Sequence, residues 1–127
     1  MIGETESTVG EVVENLDHFS PLATFGRERL LHVMSDRWED LGWVDRINLI
    51  KELEGQAQEA LAAEGENMEL HFAIARFYRA ASVDLPELIE QARFYTDRGV
   101  QLGPNTSSAE KAQTEQMEAE VAFSRSS

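Results

Sequence analysis

A segment that the chain contains twice, 39 residues apart, constrains the fold more than any other feature. Residues 31–39 read LHVMSDRWE and residues 70–78 read LHFAIARFY. An ungapped alignment of residues 31–65 with residues 70–104 has identical residues at seven of 35 positions. These pairs are Leu31/Leu70, His32/His71, Arg37/Arg76, Val44/Val83, Asp45/Asp84, Leu49/Leu88 and Ile50/Ile89. Two unrelated amphipathic helix pairs would not be expected to share His, Arg and Asp in register, so the sequence predicts an internal repeat.

The spacing of apolar residues predicts helices along nearly the whole chain. Strand signals are almost absent, since there is no Asn-Gly or Asp-Gly turn and no long alternating run of β-branched residues. Apolar residues at helical spacing are separated by breaks such as Pro21, Gly42 and Gly65. The predicted helices span about residues 8–18, 27–41, 44–63, 68–81, 84–102 and 107–123. The fourth is apolar almost all round, so we expect it to be buried on more than one side.

Each repeat unit is a pair of antiparallel helices, and this unit determines the predicted fold class. One helical hairpin cannot bury its apolar face alone, whereas stacked neighbours share a continuous core. We therefore predict an all-α fold, a right-handed α-solenoid of helical hairpins with about six helices. Its predicted parts are an N-terminal extension with one short helix (1–26), two hairpin repeats (27–66 and 67–105), and a capping helix with a frayed tail (106–127).

The second hairpin resembles a tetratricopeptide repeat. The matching positions are His71, Ile74, Ala75 and Tyr78 in the first helix, and Ala92, Gly99 and Pro104 in the second. In that family Ala75 would be the small residue that admits the partner helix. The period of 39 is longer than the family's ~34 residues, and the first hairpin matches only weakly. A period near ~40 also suits HEAT-like repeats, so both kinds of packing stay open.

A second resemblance concerns the setting of the chain. The segments ARFYRAA (75–81) and RFYTDRGVQLGPN (93–105) are similar to extramembrane repeat tails of bacterial polysaccharide (O-antigen) ligases and polymerases. This resemblance implies a helical module cut from such a protein rather than its catalytic part. The sequence leaves open whether the chain is a fragment of a larger protein.

The charge balance argues against several classes of partner. The chain has 24 acidic and 11 basic residues, for a net charge of −13. Phosphate backbones and anionic membrane surfaces repel such a protein, whereas a basic or polar peptide is attracted. No apolar run approaches the ~20 residues of a membrane span, and the acidic N-terminus lacks the features of a secretory signal. We expect no nucleic-acid binding and no membrane insertion, and the compartment stays open.

Catalytic and metal-binding motifs are absent from the sequence. The chain has no cysteine, which excludes disulfides and thiolate sites, and it lacks HExxH, GxSxG and the phosphate-binding GxxxxGK[ST]. His32 and His71 occupy equivalent repeat positions, which packing between helices explains more simply than ligand binding does. We therefore expect no cofactor, no metal site and no enzymatic activity.

The tetratricopeptide resemblance implies where a partner would bind. In that family the first helix of each hairpin lines a concave groove, which would place Phe72, Arg76 and Arg79 in the groove. Equivalent positions of the first hairpin include Arg37 and Asp40. Arginines at matched positions could hold a peptide carboxylate with forked hydrogen bonds. The alternative is that Arg37 and Arg76 form salt bridges within the chain or stack on aromatic neighbours.

Three functional hypotheses follow from these patterns. The first is a non-catalytic protein-protein interaction module or scaffold that binds a peptide or protein in the groove. The second is a structural subunit that associates end to end with its own copies into oligomers or filaments, because a short solenoid exposes its two ends. The third is an enzyme, or an enzyme accessory, that uses the histidines. The sequence names neither the partner nor the oligomeric state.

Overall fold

The computed structural model describes residues 23–126, and every regular element among them is helical. The α-helices are Ala23–Asp36 (α1), Trp43–Ala63 (α2), Met68–Ala81 (α3), Leu88–Leu102 (α4) and Ser107–Ser126 (α5), with a short 3-10 helix at Trp38–Asp40. The all-α prediction is confirmed, and residues 23–126 contain no strand. The helix predicted at residues 8–18 lies outside the described residues.

The chain divides into two compact units, residues 1–65 and residues 66–127. The first contains α1 and α2, and the second contains α3, α4 and α5. The C-terminal helix that the sequence analysis set apart therefore belongs to the second unit. The division into two hairpin repeats with flanking segments stays a prediction, and so does the solenoid.

Apolar burial and one arginine hold the first unit together. Its largest fully buried side chains are Trp38, Leu31 and Leu53. Arg27 of α1 bonds to two residues of α2: Nε donates to Gln56 Oε1 at 2.6 Å, and Nη2 donates to Glu59 Oε2 at 2.6 Å. These contacts connect the two helices beside their buried apolar interface.

In the second unit, α3 packs against both α4 and α5. Nine of its fourteen residues are buried, as expected of a helix that is apolar almost all round. Asn67 caps the helix, since its Oδ1 accepts a hydrogen bond from Leu70 N–H at 3.1 Å. α4 approaches α3 closely at Gly99, where an added Cβ would lie 2.6 Å from Cδ1 of Phe72. The second unit therefore depends on a glycine for its helix packing.

The two hairpins share several features that the repeat predicts. α2 and α4 end 39 residues apart. Trp38 and Phe77, which are equivalent aromatic positions, are both fully buried. Val44 and Val83 are exposed to similar extents, 64% and 68%. The repeat itself stays a prediction.

The hairpins nevertheless turn at different places. α1 is followed by a turn at residues 37–42, whereas α3 is followed by one at residues 82–87, six positions later in the repeat. The segment RAAS favours helix where the first hairpin has DLGW, with its helix-ending glycine. As a result Arg37 lies in a turn and Arg76 lies in a helix, so this matched pair is not structurally equivalent.

Candidate functional site

The residues that the sequence analysis placed in a groove are divided between the two units. Arg37 and Asp40 are exposed and lie in the turn of the first unit. Phe72, Arg76 and Arg79 lie on α3 in the second unit. A role for these residues in partner binding stays a prediction, and the surroundings of Phe72 and Arg79 bear on it differently.

Phe72 faces the interior of the second unit. Its ring forms a buried cluster with Ala109 and Ala112 of α5, and Met68 and Val100 pack against this cluster. The alanines are small enough to let α5 approach α3 closely. Phe72 therefore contributes to the core of the unit, with 6% of its surface exposed.

Arg79 is a nearly buried cation, with 9% of its side chain exposed. Its Nη1 donates to Thr96 Oγ1 and to Gln116 Oε1, both at 3.1 Å. Its Nη2 donates to Glu115 Oε2 at 3.2 Å, which forms an ion pair with a carboxylate that is 38% exposed. These bonds use three of the five N–H donors of the guanidinium. The other two have no acceptor among the described residues.

The charge of Arg79 is only partly compensated by its neighbours. Burial lowers the pKa of Arg79 below its ordinary value, and Glu115 opposes this shift without cancelling it. The nearby Arg76 lowers the pKa of Arg79 further. The guanidinium still stays charged at neutral pH, because arginine does not deprotonate in proteins. A further anionic group would therefore stabilise this cation.

Arg79 lines a cleft of about 580 Å³ whose walls are mostly apolar. The lining side chains are Arg79, Ser82, Val83, Pro86, Ala119, Ala122 and Phe123. Val83 and Phe123 are large apolar residues that stay exposed. Exposed apolar surface next to a placed charge is typical of a binding site.

The polar groups at this cleft suit binding by hydrogen bonds and charge. Ser82 Oγ donates to the backbone oxygen of Arg79 at 2.6 Å, so its hydroxyl hydrogen is already engaged. Arg79 supplies the remaining donors, in the planar geometry that matches a carboxylate. The arrangement can therefore hold an anion beside an apolar group.

His71 is not among the side chains that line this cleft. His71 is buried, and its Nδ1 lies 2.8 Å from the carbonyl oxygen of Asn67, which accepts the hydrogen bond. Its ring packs beside Tyr95, with centroids 6.1 Å apart. His32 is half-buried and has a partner of its own. Within residues 23–126, no three His, Cys, Asp or Glu side chains form a group that could hold a metal ion.

Sequence reasoning missed the apolar wall of the cleft. Val83 lies in the turn between α3 and α4, and Phe123 lies near the end of α5. One signal pointed to Phe123, since it is a lone aromatic residue in a mostly polar helix. Its contact with the Arg79 cleft requires α5 to fold back along α3, which no local pattern specifies.

Neither helix composition nor similarity to known proteins assigns this chain a role. In the part of the chain that the structure describes, every helix is too short or too polar to cross a membrane. Comparison with protein-family models, with curated proteins and with solved structures finds no match to this chain.

Proposed function

We propose that this chain is a non-catalytic helical interaction module that binds a peptide or protein segment in the cleft beside Arg79. The bound segment would present a carboxylate next to an apolar side chain. One observation carries the proposal: a nearly buried guanidinium with two unused N–H donors lines a mostly apolar cleft.

A ligand carboxylate would accept hydrogen bonds from the donors that Arg79 leaves unused. Hydrogen bonds to charged groups contribute about 1.5–3 kcal/mol. Arg79 is already removed from most solvent in the free protein, so binding requires little further desolvation of the cation. Glu115 pairs with Nη2 of Arg79 and is itself 38% exposed.

The apolar wall would hold the side chain next to that carboxylate. Val83, Pro86 and Phe123 provide most of the bulky apolar surface of the cleft. Burying a side chain the size of valine or leucine stabilises a complex by about 1.5–3 kcal/mol. The two contributions together favour a ligand with both groups over a ligand with either one.

The distribution of charge along the chain permits an anionic ligand at this site. Residues 66–127 carry ten acidic and six basic residues, whereas residues 1–65 carry fourteen and five. The unit that contains the cleft is therefore much less acidic than the other. Local attraction to Arg79 has less general repulsion to overcome there.

We also propose that the two hairpins are successive units of a right-handed, tetratricopeptide-like solenoid. The coincident ends of α2 and α4 and the matched burial of Trp38 and Phe77 support this arrangement. The Arg79 cleft would then be part of a concave face. A crystal structure in which the hairpins do not stack in register would contradict this arrangement.

A pair of peptides tests the binding proposal. A short fluorescent peptide that ends in leucine with a free carboxylate is titrated with the full chain, beside the same peptide with a terminal amide. The carboxylate form should bind about tenfold more tightly or better, since one charged hydrogen bond of ~1.4 kcal/mol corresponds to that factor. Equal affinities of the two forms would contradict the proposal.

Val83→Glu and Val44→Glu form a matched pair of variants for the same measurement. Each replaces a similarly exposed valine at an equivalent repeat position, but Val83 lines the cleft and Val44 does not. Val83→Glu should weaken the carboxylate peptide about tenfold or more, because the new carboxylate competes for Arg79 and repels the ligand. Val44→Glu should leave the affinity unchanged, and equal losses would mean that the added charge acts without involving the cleft.

A further inference from the structure

A second cleft of about 720 Å³ lies between α4 and α5 in the same unit. It is lined by residues between 89 and 97 of α4 and by residues between 113 and 124 of α5. Phe123 is the one residue that it shares with the Arg79 cleft. The two clefts therefore lie on different sides of α5 and differ in their chemistry.

The second cleft runs along two antiparallel helices. α4 and α5 run antiparallel, since Thr96 bonds to Gln116 at 3.4 Å and Arg93, one turn earlier, pairs with Glu120, one turn later. The lining segments are roughly 12 Å and 17 Å long at ~1.5 Å per residue. Ridges of a third helix fit between two such helices, and about three turns would fill this length.

Exposed apolar side chains form the α5 side of this groove. Met117 and Val121 lie one helical turn apart and are 65% and 45% exposed. This spacing matches the apolar stripe of an amphipathic partner helix. A methionine adapts its shape to different partners, which favours contact with a helix surface.

The charged side chains of the groove are predominantly acidic. Glu90, Asp97 and Glu120 line it together with one cation, Arg93. Arg93 is engaged on two sides, with Glu90 Oε2 at 3.3 Å and with Glu120. The hydrogen bond that Arg93 donates to Glu120 is the main reason that the pKa of Arg93 is raised. The groove therefore presents a net negative charge to any partner.

We propose that this groove is a docking site for an amphipathic helix whose apolar stripe is flanked by lysines or arginines. The apolar residues of that helix would pack on Met117 and Val121, and its cations would face Glu90 and Asp97. This proposal is independent of the Arg79 cleft, because it uses other residues and the opposite ligand charge.

Charge also decides between this partner and a second copy of the chain. Each copy carries a net charge of −13, and a two-fold contact would place the same acidic rim opposite itself. Such a contact is disfavoured by like-charge repulsion at the rim. A basic helix gains from the same charges that a second copy would have to overcome.

Two model peptides of about fourteen residues test the proposal with the full chain. Both carry the same leucine stripe, flanked by lysines in one peptide and by glutamates in the other. Fluorescence anisotropy should show the lysine peptide binding at least about tenfold more tightly, with an affinity that falls as salt is raised. Equal affinities for the two peptides would overturn the proposal.

Matched variants separate the groove from general attraction to an acidic protein. The double variant Met117→Ser/Val121→Ser should weaken the lysine peptide about tenfold or more, whereas Phe94→Ser should have no effect. Phe94 is also a large exposed apolar residue of this unit, but it does not line the groove. Equal losses in the two variants would overturn the proposal, and circular dichroism confirms that each variant stays helical.

Two further measurements complete the test. Asp97→Asn removes one groove charge at an exposed position and should weaken the lysine peptide by about two- to fivefold, with a smaller salt dependence. An unchanged affinity and an unchanged salt dependence would contradict the proposed contact between the cations of the peptide and Asp97. Light scattering measures whether the chain forms a dimer as its concentration rises. A dimer that is lost in the variant Met117→Ser/Val121→Ser would overturn the proposal and would indicate that the groove binds a second copy of the chain.

Discussion

Replacing Gly99 by alanine tests the close approach of α3 and α4 in the second unit. A Cβ atom at this position would lie 2.6 Å from Cδ1 and 2.9 Å from Cζ of Phe72, closer than Cβ atoms in proteins come to other atoms. The ring cannot move freely, because Ala109 and Ala112 of α5 pack against it. Gly99→Ala therefore forces either the ring or α4 to shift.

Two opposing effects set the size of the change. Alanine is favoured over glycine within a helix by about 1 kcal/mol. Adding a methyl group to a tightly packed core costs about 1–3 kcal/mol, and the upper end applies here because the ring is confined. We expect Gly99→Ala to lower the free energy of unfolding by about 1–2 kcal/mol.

Gly55→Ala in α2 is the matched control. A Cβ atom there would meet nothing within 4 Å, so the helix preference of alanine acts alone. The free energy of unfolding should rise by up to about 1 kcal/mol. Urea unfolding followed by far-UV circular dichroism measures both variants. Equal stabilisation by Gly99→Ala and Gly55→Ala would contradict the close approach of α3 and α4 at Gly99.

A double-mutant cycle identifies the ring as the cause of the clash. Phe72→Leu removes the ring atoms that the new Cβ would meet. In that background Gly99→Ala should cost at least about 0.5 kcal/mol less than in the parent chain. Additive effects would mean that something other than Phe72 resists the alanine.

Two further predictions concern an ion pair and a helix cap. The hydrogen bond from Arg93 is the main reason that the pKa of Glu120 is lowered from 4.5. The ionised carboxylate therefore stabilises the fold at pH values above its unfolded-state pKa. This stabilisation is lost as the pH falls through the lower pKa of the folded state. The stability advantage of the parent chain over Glu120→Gln, measured by urea unfolding, should therefore be present at neutral pH and vanish in acid; a constant difference would contradict it. Asn67→Ala should lower the free energy of unfolding by about 1 kcal/mol, because Leu70 N–H loses its acceptor, while Asn67→Ser should retain most of the stability.

Helix positions were largely predictable because apolar spacing and helix breakers are local features. The predicted span 68–81 coincides with α3, and the predicted ends at 63 and 102 coincide with those of α2 and α4. α1 was predicted to continue to residue 41 but ends at Asp36. Trp38 lies in the 3-10 helix and Leu41 follows it, and both are buried. Because they are apolar and fall at helical spacing, they indicated a longer α-helix than the chain forms.

The start of α4 shows how a proline and a cap residue can mislead by a few positions. The pattern DLPE predicted a helix from about residue 84, whereas α4 begins at Leu88. The chain first forms tight turns, in which Leu88 N–H donates to Leu85 O at 2.9 Å. Pro86 fits such turns as well as it fits a first helical turn, so sequence alone does not separate the two.

The surroundings of Arg79 could not be predicted because its partners are distant in sequence. Thr96, Glu115 and Gln116 lie 17, 36 and 37 residues away from it. The polar composition of α5 indicated a helix with its outer face in water, but Gln116 is buried against the rest of the unit. Its amide also donates to the backbone oxygen of Ile89 at 3.4 Å. Polar residues that bond inward resemble solvent-facing residues in any one-dimensional pattern.

The packing of α5 explains why apolar residues remain on its surface. Ala109 and Ala112 attach the first half of the helix to the core, and Gln116 attaches the middle through satisfied hydrogen bonds. Met117 and Val121 come after these attachments and stay exposed. The fold does not use these side chains for packing, so their apolar surface is available to another molecule. Burying it against a partner helix would remove that surface from water, which is the source of affinity that we propose for the groove between α4 and α5.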